Sequence, residues 1–255
     1  MRMDTSMAAV GRSIVPGVVA LGVAAAWASP SCASAAPRPK PKADEIVVDA
    51  SASITITSTQ SKFVDASVTV PVGPQAGLDG LRVKVEALAG QYDYKAASGR
   101  TTTASRTQLS GLVGYEWTWT NARFALFAGP TLGNTSLAPT DPARRDTGVS
   151  IGAKLVAQAW WQPTQKTMAS AYASYSTLSD AYYLQARAGY AVFGNVYAGP
   201  EVVLLGDDAS SQWRAGAHLT GMRLGPVQVS VSGGYLREQT GKAGTYATVD
   251  MRGAF

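Results

Sequence analysis

Hydrophobic and polar positions alternate with a period of two along most of this chain. Leu81, Val83, Val85, Ala87 and Ala89 fall on one face, with Arg82, Lys84 and Glu86 on the other. Trp213, Ala215, Ala217 and Leu219 alternate with Gln212, Arg214, Gly216, His218 and Thr220, and Val227, Val229 and Val231 with Gln228, Ser230 and Ser232. Such alternation marks strands with two unlike faces. Combined with turn residues it predicts about twelve strands, at 45–58, 62–71, 79–94, 104–119, 121–135, 146–162, 165–178, 180–194, 195–208, 210–225, 226–239 and 243–255. An even count puts both ends of the sheet on one side. Short connections at Thr120-Asn121, Gln162 to Gln165, Gly194-Asn195 and Gly225-Pro226 alternate with longer polar stretches at 95–103, 136–145, 206–211 and 239–243. That is the asymmetry of outer-membrane barrels, with short turns on the periplasmic side. The first two segments break the order, since 59–61 is short and 72–78 long, and ten strands remain the alternative count.

The polar face is thin, small and glycine-rich, as a crowded lumen requires. Composition points the same way. Apolar residues make up 46% of the 255 and charged residues 15%, against roughly 25% charged in an ordinary soluble domain. The fold expected is an all-β, antiparallel up-and-down transmembrane β-barrel over residues 45–255. One cysteine, Cys32, excludes a disulfide scaffold and a cysteine-based zinc site, and one histidine, His218, excludes a two-histidine metalloprotease motif. No glycine-rich nucleotide fingerprint follows an apolar strand. The net charge of +5 is mild and scattered, so nucleic acid is not an expected partner. No metal and no cofactor are expected.

Residues 1–35 have the features of a signal peptide. Arg2 and Arg12 precede the apolar segment Ser13–Ala28, and Ala33-Ser34-Ala35 supplies the small residues for cleavage before Ala36. Pro16 and Pro30 argue against a retained spanning helix, which needs about 20 apolar residues. Residues 36–44, APRPKPKAD, form a Pro/Lys-rich spacer expected to lie in the periplasm.

Aromatic rings fall near both ends of the predicted strands. Tyr115, Trp117, Trp119 and Trp160-Trp161 lie at inner ends, and Tyr92, Tyr94, Tyr182, Tyr183, Trp213 and Tyr235 at outer ends, as the girdles of a membrane barrel do. At the C-terminus, Ala247, Val249, Met251 and Phe255 alternate outward with Thr248, Asp250 and Arg252 inward. Tyr246, Val249, Met251 and Phe255 are therefore expected to form the signal read by the barrel-assembly machinery, with outer-membrane lipid around the wall. The expected location is the outer membrane of a Gram-negative bacterium, with both ends of the barrel periplasmic. An internal echo joins Phe127-Ala-Gly-Pro130 to Tyr197-Ala-Gly-Pro-Glu201, and each proline is expected to mark a bulge or bend.

The segments Ala173-Ser-Tyr-Ser-Thr177, Arg187-Ala-Gly-Tyr190, Tyr197-Ala-Gly-Pro-Glu201, Gly206-Asp207, Trp213-Arg214-x-Gly216-x-His218-x-Thr220-Gly221 and Val231-Ser-Gly-Gly-Tyr235 follow one another in this order. In this the chain resembles the cellulose biosynthesis protein BcsS family, outer-membrane barrel proteins associated with bacterial cellulose synthesis. The resemblance holds from about Gly152 to the C-terminus, is looser over Asp79–Gly133 and is absent before residue 75. It implies an accessory role in export, anchoring or assembly of the glucan, with the cellulose chain and components of the cellulose synthase complex as partners. It carries over no catalytic residue.

On this register Arg187, Glu201, Arg214 and His218 face the lumen. They are candidates for hydrogen bonding to sugar hydroxyls, or for mutual pairing, because an unpaired charge in a low-dielectric lumen is costly. Trp213 and Tyr235, near the outer rim, are candidates for stacking on glucose faces, and their loss is expected to weaken glucan binding. Two other classes stand beside this one: a small general pore or structural barrel, and a lipid-modifying enzyme using His218 with Thr220. The last lacks an Asn or Asp placed to orient the imidazole. Glu86, Glu116 and Glu201 lie on separate strands, so a carboxylate pair for glycoside hydrolysis is not visible in the sequence. Asp207-Asp208 has the character of a solvated turn. The expected function is non-enzymatic.

Overall fold

A computed structural model describes residues 48–73, 79–96, 99–141, 147–208 and 210–255. The predicted signal peptide and spacer lie outside the described residues. Twelve strands run in sequence: β1 Asp49–Thr57, β2 Lys62–Pro71, β3 Gly80–Lys95, β4 Thr101–Thr118, β5 Ala122–Ala138, β6 Gly148–Thr164, β7 Thr167–Ser176, β8 Ala181–Phe193, β9 Val196–Gly206, β10 Ser211–Leu224, β11 Val227–Glu238 and β12 Ala243–Ala254. Each pairs antiparallel with its sequence neighbours, and β1 pairs with β12, so the sheet closes on itself. Closure runs from Asp49 opposite Ala254 to Thr57 opposite Tyr246. It is extended by two backbone bonds, Val48 N to Phe255 O at 2.7 Å and Phe255 N to Val48 O at 3.0 Å. The ten-strand alternative is excluded, because both β1 and β2 are paired on two sides.

The period-two pattern becomes the two sides of the wall. Ile54, Ile56, Val64, Val68, Leu81, Val85, Leu109, Val113, Leu126, Leu155, Leu184, Val202, Leu204, Val249 and Met251 are all exposed on the outer face. In water this surface would be unstable; in hydrocarbon it is the required one, since all backbone groups of a closed barrel bond within the wall. The molecule is thus an outer-membrane-type β-barrel.

The wall is uneven. β3, β4, β5 and β6 have 16, 18, 17 and 17 residues, whereas β1, β2 and β7 have 9, 10 and 10. About 9–11 tilted residues cross a membrane, so the short strands just span it and the tall β3–β6 wall projects beyond. The wall takes up the edges of the expected long loops: β3 runs to Lys95, β4 starts at Thr101 and β5 runs to Ala138.

Over the projecting part, loops of the low wall, the side formed by β7–β12, bond to the tall wall. The turn between β7 and β8 carries the buried Leu178. Its carbonyl accepts from Arg106 Nη2 of β4 at 3.1 Å. Asp208 N donates to Ser179 O at 2.9 Å, and Tyr92 Oη of β3 donates to Asp207 Oδ2 at 2.8 Å. Asp207 also accepts from Ser210 N at 2.8 Å, so this acidic pair ties loops together.

The Gly-Pro echo interrupts the sheet at equivalent places. Pairing of β4 with β5 skips Gly111 and Leu112 opposite Gly129 and Pro130, and pairing of β8 with β9 skips Ala188 and Gly189 opposite Gly199 and Pro200. The register is the same on both sides of each gap, so these are local openings, without the bulge that is one of the two alternatives expected from sequence. A Cβ on Gly129 would sit 2.1 Å from Gly111 O, and one on Gly199 1.9 Å from Ala188 O. Only glycine permits the carbonyl to turn across the strand there.

Candidate functional site

The lumen is the candidate site. A cavity of about 2970 Å³ is lined from Asp49, Trp119 and Gly225 at the rim that carries the barrel ends to Gln60, Ser210 and Gln239 at the opposite rim. β1 and β2 present mostly small hydroxyls to it, Ser51, Ser53, Thr55, Ser67 and Thr69, together with the acids Asp49 and Asp65 and the ring of Phe63. Ser51 Oγ bonds Ser67 Oγ at 2.9 Å and Thr55 Oγ1 bonds Thr248 Oγ1 at 2.9 Å. Bulkier side chains fill the opposite walls.

On the tall wall, Leu112, Ala125, Phe127 and Val156 form a buried apolar patch on the inner face, with Tyr172 packed against it. Two cations lie beside it and share one carboxylate: Lys84 Nζ is 2.7 Å from Glu86 Oε1, and Lys154 Nζ is 2.8 Å from Glu86 Oε2. The Lys84 ammonium also lies 5.5 Å from the Phe127 ring centroid and 5.6 Å from that of Tyr172, within cation–π range.

On the low wall the roles of charge are reversed, because one cation serves two carboxylates. Arg187 Nε donates to Glu201 Oε2, and Arg187 Nη2 donates to Asp250 Oδ2 at 2.7 Å. Glu201, 1% exposed, also accepts from Gln185 Nε2 at 3.0 Å and from Tyr246 Oη at 2.9 Å. Arg214 is buried, donates to Gln212 Oε1 at 2.7 Å and stacks its guanidinium 5.5 Å from the Tyr246 ring centroid.

His218 closes the gap that Pro200 opens. Its Nε2 lies 3.1 Å from the Ala188 carbonyl. A carbonyl only accepts, so Nε2 carries the hydrogen of the neutral ring, and Nδ1 accepts from the Thr220 hydroxyl at 2.9 Å. A side chain on β10 thereby supplies a donor where the proline of β9 has none. The His218–Thr220 contact is real, but the group that orients the imidazole is a backbone carbonyl and not a carboxylate.

Arg187, Glu201, Arg214 and His218 thus lie together on the lumen side, with their polar atoms bonded within the wall. Trp213 and Tyr235 do not join them. They stand on the outer face, 42% and 45% exposed, with ring centroids 5.6 Å apart. Odd-numbered positions of β11, and of β10 as far as Leu219, face outward, so these rings belong to the aromatic girdle and not to the lumen. Tyr246 departs from its expected company as well. Val249, Met251 and Phe255 are exposed, whereas Tyr246 points inward to Glu201.

The girdles need the same correction elsewhere. Tyr115, Trp117, Phe124, Trp161, Tyr190 and Phe193 encircle the rim of the barrel ends, and Tyr175, Tyr182, Trp213 and Tyr235 the other. Tyr92, Tyr94, Tyr183 and Trp160 instead line the cavity. For Trp160-Trp161 strand parity was the missed signal, since adjacent residues cannot share a face. Among the described residues no group of three His, Cys, Asp or Glu side chains is placed to hold a metal ion.

A model of the cellulose biosynthesis protein BcsS family matches residues 58–255. No curated protein matches the chain. Among solved structures, the KdgM porin is similar at 9% identity and a TM-score of 0.44, over 81% of this chain and 99% of that one. The KdgM porin in complex with disordered oligogalacturonate is similar at 11% identity and a TM-score of 0.42, with the same coverage. The Pseudomonas putida toluene transporter TodX is similar at 7% identity and a TM-score of 0.45, over 83% of this chain and 89% of that one. These likenesses bear on no ligand or activity of this chain. The family match spans most of the barrel, from the β1–β2 turn to the last residue: the chain belongs to the cellulose biosynthesis protein BcsS family.

Proposed function

We propose that this chain is a non-enzymatic accessory of cellulose biosynthesis in the outer membrane, acting in export, anchoring or assembly of the glucan at the cell surface. In this reading residues 1–35 are removed on export, the barrel-assembly machinery inserts the chain, and both barrel ends face the periplasm. The cellulose chain and components of the cellulose synthase complex are its partners. The observation that carries the reading is a cavity of about 2970 Å³, lined by charged, hydroxyl, amide and aromatic side chains from one rim to the other, in a member of a cellulose family.

The test is a clean deletion scored for uptake of a cellulose-binding dye and for polymer outside the cell. Loss or mislocalisation of cellulose, restored by the wild-type chain, is the expected result. Unchanged amount, position and texture would overturn the reading and leave a small general pore, the second function that a rim-to-rim cavity supports. A lipid-modifying role fits less well, because the His218 ring is committed to Ala188 and Thr220 inside the lumen. Unaltered membrane lipids are expected in a His218→Ala strain.

A further inference from the structure

The described tryptophans divide sharply by environment. Trp117 packs on Tyr115 and Phe124, and Trp213 on Tyr235, all on the outer wall. Trp161 is exposed on the same outer wall, and Trp119 at the lip of the rim. Trp160 alone among the described tryptophans sits on an inward-facing strand position. It is half-buried, lines the cavity, and among the described residues no other aromatic ring packs on it.

Its neighbours are hydrogen-bonding groups of a particular kind. Gln158 and Gln162 lie two residues away on either side along β6 and line the same cavity. At about 3.3 Å per residue they stand roughly 6–7 Å above and below the indole. Across the sheet, Trp160 is opposite Arg123 of β5 and Ser170 of β7, which also line the cavity. Gln162 is held in place by donating from Nε2 to Tyr197 Oη at 2.6 Å.

An indole lining the cavity beside amides, a hydroxyl and a guanidinium matches the chemistry of a β-1,4-linked glucan. Such a chain is a flat ribbon with C–H bonds on its two faces and hydroxyls along its edges. The ring offers an apolar face for the first, and the polar neighbours offer donors and acceptors for the second.

We propose that Trp160, with Gln158 and Gln162, forms a glucan-binding subsite inside the lumen, near the mouth that carries the barrel ends. This deepens the proposed function and rests on it for the identity of the polymer. The stacking role that sequence assigns to Trp213 and Tyr235 passes to a residue on the other side of the wall and near the other rim.

The experiment is calorimetric titration of the full chain, folded in detergent micelles, with cellohexaose. Wild-type protein binds it, and Trp160→Ala lowers the affinity by about tenfold or more, the factor carried by one modest contact. Trp160→Phe retains part of the affinity, whereas Trp161→Ala, one residue away on the lipid side, leaves it unchanged. Heat-dependent gel mobility verifies that each variant is a folded barrel. Equal binding by wild type and Trp160→Ala would overturn the subsite, and so would no binding by wild type. If wild type fails to bind but deletion still abolishes surface cellulose, the subsite falls and the accessory role stands. If cellohexaose binds at Trp160 but deletion leaves cellulose intact, the accessory role falls and the subsite stands.

Discussion

The tall wall and the low wall of this barrel carry the same sheet defect and fill it in opposite ways. In each, a Gly-Pro pair opens two rungs of the ladder to the preceding strand without shifting register. Opposite Gly129 the tall wall places Leu112, which joins Phe127 and Val156 in an apolar patch. Opposite Gly199 the low wall places Gly189, and the space goes to the His218 ring, whose Cε1 lies 3.2 Å from where a Gly189 Cβ would be. The adjoining ion clusters are inverted too, with Glu86 between two lysines and Arg187 between two carboxylates. The physics in common is that a buried charge must be matched, and a cluster of three has one member on which the other two depend.

This comparison is broken most severely at the glycines. Gly129→Ala and Gly199→Ala should each largely prevent folding, since the new methyl would collide with backbone carbonyl oxygen. Heat-dependent gel mobility of the refolded chain measures the loss, and a barrel that folds normally with either alanine would refute the account of the gaps. Next come the central charges. Glu86→Gln strands two lysines and Arg187→Leu strands two carboxylates, and each should cost about 3–5 kcal/mol in urea unfolding from micelles. Replacing Lys84, Glu86 and Lys154 together by Met, Leu and Met should cost far less than Glu86→Gln alone, which separates desolvation of stranded charge from lost packing.

A smaller effect is expected from the cap. His218→Ala removes the donor to Ala188 and should cost about 1–3 kcal/mol, while Thr220→Val, which spares that donor, should cost less. The same unfolding series reads both, and an equal cost would mean that the Thr220 contact, not the cap, matters. Asp250→Asn leaves Arg187 its bond to Glu201 and should cost only about 1 kcal/mol. Smallest is Trp213→Ala, which removes one outer ring pair worth about 0.5–1.5 kcal/mol and leaves cellohexaose binding unchanged. A loss of binding there would return the stacking site to the outer rim.

Strand number and wall orientation were legible because both follow from local alternation. A residue at Arg187 or Glu201 faces the lumen by parity alone, as does one at Arg214 or His218. What each does once inside was not legible. Arg187 meets Asp250 from a strand 63 positions away, and Tyr92 meets Asp207 across 115 positions. The girdle assignments failed where proximity to a strand end was weighed above parity, as at Trp160, Tyr92 and Tyr183. Strand extends to Lys95, from Thr101 and to Ala138, into the edges of the expected loops at 95–103 and 136–145, because neighbouring strands of equal length pair with them there, and no local signal announces that.

By itself the sequence determined a two-faced sheet of about twelve segments, with an apolar side for lipid and a polar side for a lumen, since a period of two is a property of each strand alone. Only the tertiary structure decided that β1 closes on β12, which wall stands tall, how the lumenal charges pair, and which indole of a strand lines the cavity. Those outcomes depend on the shear and closure of the whole barrel, where every contact is set by the register of several strands at once.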